Sequence, residues 1–222
     1  MSYLGLESIR RGNTAQCIQD IFQLHFPGAE SALDCTYGAG RFWKWDHEAI
    51  LGHPLRITGV DIDPPGPVDV VADYRSLPFP ERSFDVMCFD PPFIFSKGLR
   101  RVIGTKRFFM GAEAARPEDR THSGHQLHMP RNPTDLLTHY RRVFEQSNIA
   151  RQGLICKGQD LITGTNRDFW SFNVIDMAIN MGIGYPSDYL LQMSPAPRMK
   201  DPRWRVQKNF RTRHCTYLVW KW

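Results

Sequence analysis

A single α/β domain built on a mostly parallel sheet is the fold this sequence predicts, and three observations predict it. Short apolar runs alternate with segments of helical periodicity. A glycine turn at Gly38 and Gly40 and the acids Asp61, Asp73 and Asp90 stand at or just past the ends of those runs. The chain has 222 residues with 41% hydrophobic content, enough for one well-buried α/β domain and too few for two.

The elements follow in order. Residues 13 to 26, NTAQCIQDIFQLHF, put Cys17, Ile18, Ile21, Phe22 and His25 at three- and four-residue spacing. That is one face of a helix, opened by Asn13 or Thr14 and ended by Pro27-Gly28. Strand-like runs come next at SALDCTY, LRITGVDI, DVVAD, FDVMCFD, GLICKG, DYLLQM and CTYLVWKW, with helical patterns at about 134 to 148 and 168 to 181. The last run follows DYLLQM with no helix between them, only the Pro-rich SPAPRMKDPRW, which predicts an antiparallel final strand. Between Pro92 and about Thr134 lie some 40 residues of weak periodicity and many charges, and loops of that length in compact domains are usually functional or disordered. There are no repeats and no low-complexity tract.

Composition narrows the classes of function. No window approaches the roughly 20 apolar residues of a spanning helix, and the N-terminus MSYLGLESIRRGNT has no apolar leader core. Five cysteines (Cys17, Cys35, Cys88, Cys156, Cys215) are widely spaced and odd in number, with no C-x-x-C pair, which predicts free thiols and a cytoplasmic protein. The net charge of +5 is unevenly spread. Arg198 to Lys221 holds eight Lys/Arg against Asp201 alone, Lys97 to Arg120 holds seven against three acids, and the rest is net acidic. Phe108, Phe109, Trp204 and Phe210 interleave these segments. Solvated surface is the plain reading; a surface that tracks phosphates and stacks bases needs the same composition.

The chemistry-bearing residues sit where strands end. ALDCTYGAGRFW reads as a strand running into a turn with Gly38 and Gly40, where glycine allows positive φ and close approach of a ligand to the backbone. A dinucleotide fingerprint would want a third glycine where this chain has Trp43, so a nicotinamide cofactor loses ground. Some twenty residues on, ITGVDIDP ends a strand at Asp61, placed to accept ribose hydroxyls, with Asp63 as a second acid. VVADYRSLPF ends another at Asp73. Successive strand ends of an open α/β sheet converge on one crevice.

With the glycine turn, the two acids and Asp90-Pro91-Pro92-Phe93 in this order, the chain resembles the class I S-adenosylmethionine-dependent methyltransferases, and within them the amino-methyltransferases of nucleic acids. The resemblance covers most of the chain, and RTRHCTYLVWKW is similar to the last strand of these enzymes. It implies a Rossmann-like methyltransferase fold over residues 1–222, with a mostly parallel seven-stranded sheet, an antiparallel last strand and a substrate-facing insertion at about 97–133. It implies S-adenosyl-L-methionine as cofactor, with Asp34, Gly38 and Gly40 around its amino-acid part, Asp61 on the ribose, Asp73 on the adenine amino group and Tyr74 beside the ring.

The four-residue motif suits methylation of a base amino group. That nitrogen is a poor nucleophile because its lone pair is delocalised into the ring. A carboxylate and a backbone carbonyl accepting its N–H bonds, here Asp90 and Pro91, favour a pyramidal nitrogen aimed at the methyl. Pro91-Pro92 restricts the acceptors, because proline fixes φ. Phe93 offers a face for the base, a stacking contact worth about 1–3 kcal/mol, and the base must be flipped out or single-stranded to be reached. Asp at the first motif position leans to adenine N6 over cytosine N4 in the family, and its protein glutamine methyltransferases usually have Asn there.

Lys97, Lys157, Arg203, Arg205 and Lys208 are the substrate-side candidates; Lys157, at a strand end, could touch phosphate or be an ordinary surface lysine. His122, His125 and His128 share a loop with no cysteine nearby, and no metal is expected. The partner is a nucleic acid, DNA before RNA; RNA stays open because no separate target-recognition domain is present and folded RNA can be read by shape. A non-catalytic nucleic-acid-binding partner of the same fold is the alternative from another class. No membrane partner is expected.

Overall fold

The structure, a computed structural model, describes residues 5–64, 66–91, 130–163, 166–193 and 214–222. A strand β1 (Ile9–Arg11) leads into helix α1 (Thr14–His25). Asn13 caps α1 reciprocally: its side chain accepts from Gln16 N, and the Gln16 side chain accepts from Asn13 N, so two orphan amides of the first turn are satisfied. After β2 (Ser31–Asp34) come a 3-10 turn over Arg41–Trp43 and the short helix α2 (His47–Leu51). Strands β3 (Arg56–Asp61), β4 (Val70–Val71) and β5 (Phe84–Phe89) follow. Helix α3 (Pro133–Phe144), with Asn132 as cap and Pro133 in its first turn, precedes β6 (Ala150–Gly158). A hairpin β7 (Leu161–Thr163) and β8 (Asn166–Asp168), helix α4 (Trp170–Asn180), β9 (Asp188–Met193) and β10 (His214–Lys221) complete the chain.

Among the described residues the main sheet has eight strands in the order β1-β9-β10-β6-β5-β2-β3-β4. All neighbours are parallel except β10, which runs antiparallel to both β6 and β9. This is a Rossmann-like methyltransferase topology, with the last strand antiparallel as expected. All seven expected strands are present. The eighth, β1, extends the β9 edge through only three residues, IRR, whose sequence carries no apolar alternation; pairing with β9 makes it a strand. The β7–β8 hairpin was likewise not signalled by the sequence.

Alternation along the central strands assigns two cores. Met87 and Phe89 of β5, Leu154 and Cys156 of β6, and Leu218 and Trp220 of β10 join α3 and α4 on one face. Val86 and Cys88, Ile155, and Tyr217 and Val219 join α1 and the 3-10 turn on the other. With both faces covered, β5 is buried at every position, as its apolar run predicts. Cys17, Cys35, Cys88 and Cys156 are buried free thiols, and Cys215 is half-buried with its Sγ 3.7 Å from Gln159 Oε1. No helix among the described residues is long and apolar enough to cross a membrane.

The strand order reverses between β2 and β5: from β2 the chain runs outward to β3 and β4, and from β5 to β6 on the other side. Ligands of open α/β sheets bind beyond the carboxyl ends of the strands at such a point. The glycine turn after β2 and Asp90 after β5 flank it.

Candidate functional site

The turn after β2 is held by the two acids that flank it. Asp34, at the end of β2, accepts from Thr36 N (3.0 Å) and from the Trp43 indole N–H (2.8 Å). Asp61, at the end of β3, accepts from Gly38 N at 2.9 Å through one oxygen and from Asp63 N at 3.0 Å through the other. Gly38 and Gly40 both have left-handed backbone (φ 53° and 63°), which glycine adopts without strain. A side chain added at Gly38 would meet nothing closer than Thr36 O at 3.8 Å, so the backbone there is open to approach. At Gly40 and Gly59 the space is filled by Tyr37, whose hydroxyl oxygen and ring stand 2.7 Å and 2.6 Å from where the respective Cβ would be.

Asp34 is fully buried, and burial raises its carboxyl to about 7 against the pull of its two hydrogen bonds, with Asp90 and Asp61 adding to the rise. The Trp43 contact explains why an indole stands where a dinucleotide site would have glycine: its N–H is needed by the acid nine residues earlier.

Asp90 follows β5 directly. Its backbone N–H donates to Thr36 Oγ1 at 2.9 Å, tying the end of β5 to the glycine turn. Its Oδ2 accepts from Lys157 Nζ at 2.7 Å. Lys157 is no surface lysine: its side chain is 12% exposed, and its ammonium faces the Phe42 and Tyr217 rings at 5.5 and 5.8 Å from their centroids. Burial pulls the ammonium down, but Asp90 outweighs this and holds it above the usual lysine value.

Beneath Asp90 the rings of Tyr74, Phe89, Tyr140 and Trp170 form a continuous row, with successive centroids 4.9, 5.0 and 5.4 Å apart. Tyr140 Oη donates to the Lys157 carbonyl at 2.6 Å. Gly158 leaves room for the Trp170 indole, which a Cβ there would overlap. The backbone at the end of β6 is thus fixed from the α3–α4 side while the Lys157 side chain serves the opposite face.

The far edge of the crevice is arranged differently. Asp73 grips Arg75 through both carboxylate oxygens, with Arg75 Nε 2.9 Å from each. Tyr74 is buried, its hydroxyl sharing a hydrogen bond with His139 Nδ1 at 2.5 Å and its ring packed on Phe89. Burial lowers the His139 imidazole, which favours its neutral form.

The structure therefore brings Asp34, Gly38, Gly40, Asp61, Asp90 and Lys157 around the strand-order reversal. Asp73 and Tyr74 lie on the β4 side with partners of their own. Pro91 is buried beside Asp90. Pro92, Phe93, Lys97, Arg203, Arg205 and Lys208, the three histidines and most of the 97–133 stretch lie outside the described residues. Among the described residues no group of His, Cys, Asp and Glu could hold a metal ion. Thr36 and Trp43 were missed in the sequence. Thr36 gives no signal there, whereas Trp43 could have been found by asking what else an N–H donor does in a glycine's place.

No protein-family model and no curated protein matches the chain. Among solved structures it is similar to the sugar N-methyltransferase KedS8 from Streptoalloteichus sp ATCC 53650, at 11% identity over 94% of this chain and 87% of that one, TM-score 0.43. It is also similar to PH0851, at 13% identity over 95% of this chain and 46% of that one, TM-score 0.43. Likeness at this level says nothing about substrate.

Proposed function

We propose that this chain is an S-adenosylmethionine-dependent N-methyltransferase acting on a base exocyclic amino group in DNA, with adenine N6 as the acceptor. The observation that carries the reading is the hydrogen bond from Asp90 N to Thr36 Oγ1, which ties the acceptor carboxylate to the glycine turn at the strand-order reversal.

The residues fit the cofactor. The open backbone face at Gly38 admits its amino-acid end, and acids at the ends of β2 and β3 suit its ammonium and ribose hydroxyls. Asp34 would stand behind the amino-acid part and Asp61 would accept from the ribose. Asp73 would reach the adenine amino group only by sharing itself with Arg75, and Tyr74 would support the ring from within the core. When bound, S-adenosylmethionine supplies a methyl group activated by a sulfonium.

The chain's own residues do the rest. Asp90 and the Pro91 carbonyl accept the two N–H bonds of the base amino group and orient its lone pair. As the new N–C bond forms, the nitrogen becomes acidic and Asp90 takes its proton; an ordinary carboxylate suffices. Phe93 stacks on the base, and Lys97, Arg203, Arg205 and Lys208 contact phosphates, which position the strand without reading its sequence.

The test is incubation with methyl-labelled S-adenosylmethionine and separate DNA and RNA pools, followed by nucleoside analysis. Label in N6-methyladenine from DNA is the expected result. Label only in RNA nucleosides would move the substrate to RNA, and label in neither would overturn the reading.

A further inference from the structure

Asp90 and Lys157 meet because of sheet register. In the parallel pair β5–β6, Phe89 stands opposite Cys156, so the next residue on each strand, Asp90 and Lys157, is brought level. Alternation sends both side chains to the face of Val86, Cys88 and Ile155. On the other side of β6, Tyr217 of β10 is paired in register with Lys157 and supplies one of the two rings. Phe42, from the 3-10 turn behind Gly40, supplies the second. One ammonium thus touches the motif strand, the last strand and the glycine turn.

An ammonium withdrawn from water costs several kcal/mol unless it is paired and its protons are satisfied. A lysine whose task was to reach phosphate would keep that cost low by leaving its head in solvent. Here the head is inside, on one oxygen of a carboxylate that is itself 24% exposed, with aromatic faces as its other neighbours. The arrangement commits Asp90 Oδ2 and leaves Oδ1 for a donor in the crevice.

Resting on the methyltransferase reading above, we propose that Lys157 is a positioning residue: it fixes the Asp90 carboxylate by Oδ2 and so presents Oδ1 as the acceptor of the substrate N–H. It does not touch the reacting atoms. Among the described residues, the other titratable groups facing this pair are Asp34 from β2, Cys17 from α1, Cys215 and Tyr217 from β10 and Tyr140 from α3. Burial pushes the Cys17 thiol up to about 12 and both phenols well above their usual range, so these stay neutral in the working range. Burial raises the Asp34 carboxyl to about 7, so the lysine's effect is read as a difference between proteins.

The test compares wild type with Lys157→Met, which keeps the length and removes the charge, and with Lys157→Arg, which keeps the charge. The first readout needs no methyl transfer: carbon NMR of carboxyl-labelled aspartates, with Asp90 assigned by its loss in Asp90→Asn. In Lys157→Met the Asp90 carboxyl resonance at neutral pH should move away from its wild-type position, because the ammonium that fixes it is gone. In Lys157→Arg it should stay near wild type. An unmoved resonance in the methionine variant overturns the proposal, and if that variant does not fold, a wild-type-like resonance and rate in the arginine variant decide for it.

The second readout is kcat and KM for methyl transfer to a single-stranded adenine-containing oligonucleotide. The methionine variant should lose about tenfold or more in rate at neutral pH through misplacement of the acceptor. The loss should fall in kcat, with KM and S-adenosylmethionine affinity unchanged. A moved resonance with unchanged kcat would reduce Lys157 to a structural partner and sink the positioning role. A wild type that methylates no nucleic acid would sink the proposed function alone, since the NMR arm still decides whether Lys157 sets the state of Asp90.

Discussion

Strand β5 carries two aspartates, Asp85 at its second position and Asp90 one residue past its end, and their surroundings differ sharply. Asp85 is saturated. Its Oδ2 accepts from Glu30 N, Ser31 N and Ser31 Oγ, and its Oδ1 from Gln152 and Arg151, all within 2.9–3.1 Å. These contacts sew the amino end of β5 to the starts of β2 and β6. Asp90, at the carboxyl end, makes one ion pair through a single oxygen and is more exposed. A carboxylate with every lone pair used holds a fold together; one with an oxygen to spare can do work on something else. On the proposed function, the same strand has a structural end and a chemical end.

The comparison can be broken at several points, taken from the largest expected effect. Asp85→Ala leaves Arg151 and the Ser31 hydroxyl without their partner and should cost about 3–5 kcal/mol of stability, read by urea denaturation, while the folded fraction binds S-adenosylmethionine normally. Asp90→Ala should do the reverse. Its methyl-transfer rate should fall by roughly 100-fold, by analogy with loss of an oxyanion-hole donor, with cofactor affinity by calorimetry near wild type. Near-normal turnover would remove Asp90 from the chemistry and with it the contrast.

Third comes pH, where the two buried acids Asp85 and Asp34 have opposite signs. Burial raises the Asp85 carboxyl, but its hydrogen bonds and Arg151 outweigh burial and hold it below the ordinary value, so its stabilisation is present above the usual aspartate range and is lost as pH falls through the lowered value. The Asp34 carboxyl is raised to about 7, so the folded state keeps a proton that the unfolded chain has released, and stability falls as pH rises from about 4 toward 7. Between pH 5 and 6 the Asp34 contribution should approach about 1.4 kcal/mol. Denaturation of wild type and Asp34→Asn at both pH values should show that drop in wild type and its absence in the variant.

The smallest effect sharpens the cofactor side. Gly38→Ala adds a methyl group into open space on a left-handed residue, at a backbone cost of about 1–2 kcal/mol. If the cofactor's amino-acid end approaches there, S-adenosylmethionine affinity in the folded variant should also fall by about fivefold, roughly 1 kcal/mol. A folded variant with unchanged affinity by calorimetry would take the glycine turn out of the binding site.

The sequence by itself determined the mostly parallel sheet, the antiparallel last strand, the main helices and the positions of the acids and glycines at strand ends. These depend on local rules: apolar period, turn residues and caps act over a few residues and leave their mark in order along the chain. Even the burial of β5 could be read from its uninterrupted apolar run, although the saturation of Asp85 within it could not.

Only the tertiary structure decided what each polar group does. Lys157 and Asp90 lie 67 residues apart and meet because β5 and β6 pair in one register. Asp90 N finds Thr36 Oγ1 across 54 residues because β2 and β5 are neighbours. Tyr74, expected beside a ligand ring, is in the core with its hydroxyl on His139, 65 residues away. β1 exists because β9 offers an edge to pair with. The physical reason is common to all four: a polar side chain's energy depends on which partner replaces its lost water, and a strand's on the edge beside it, and sheet order and register choose both.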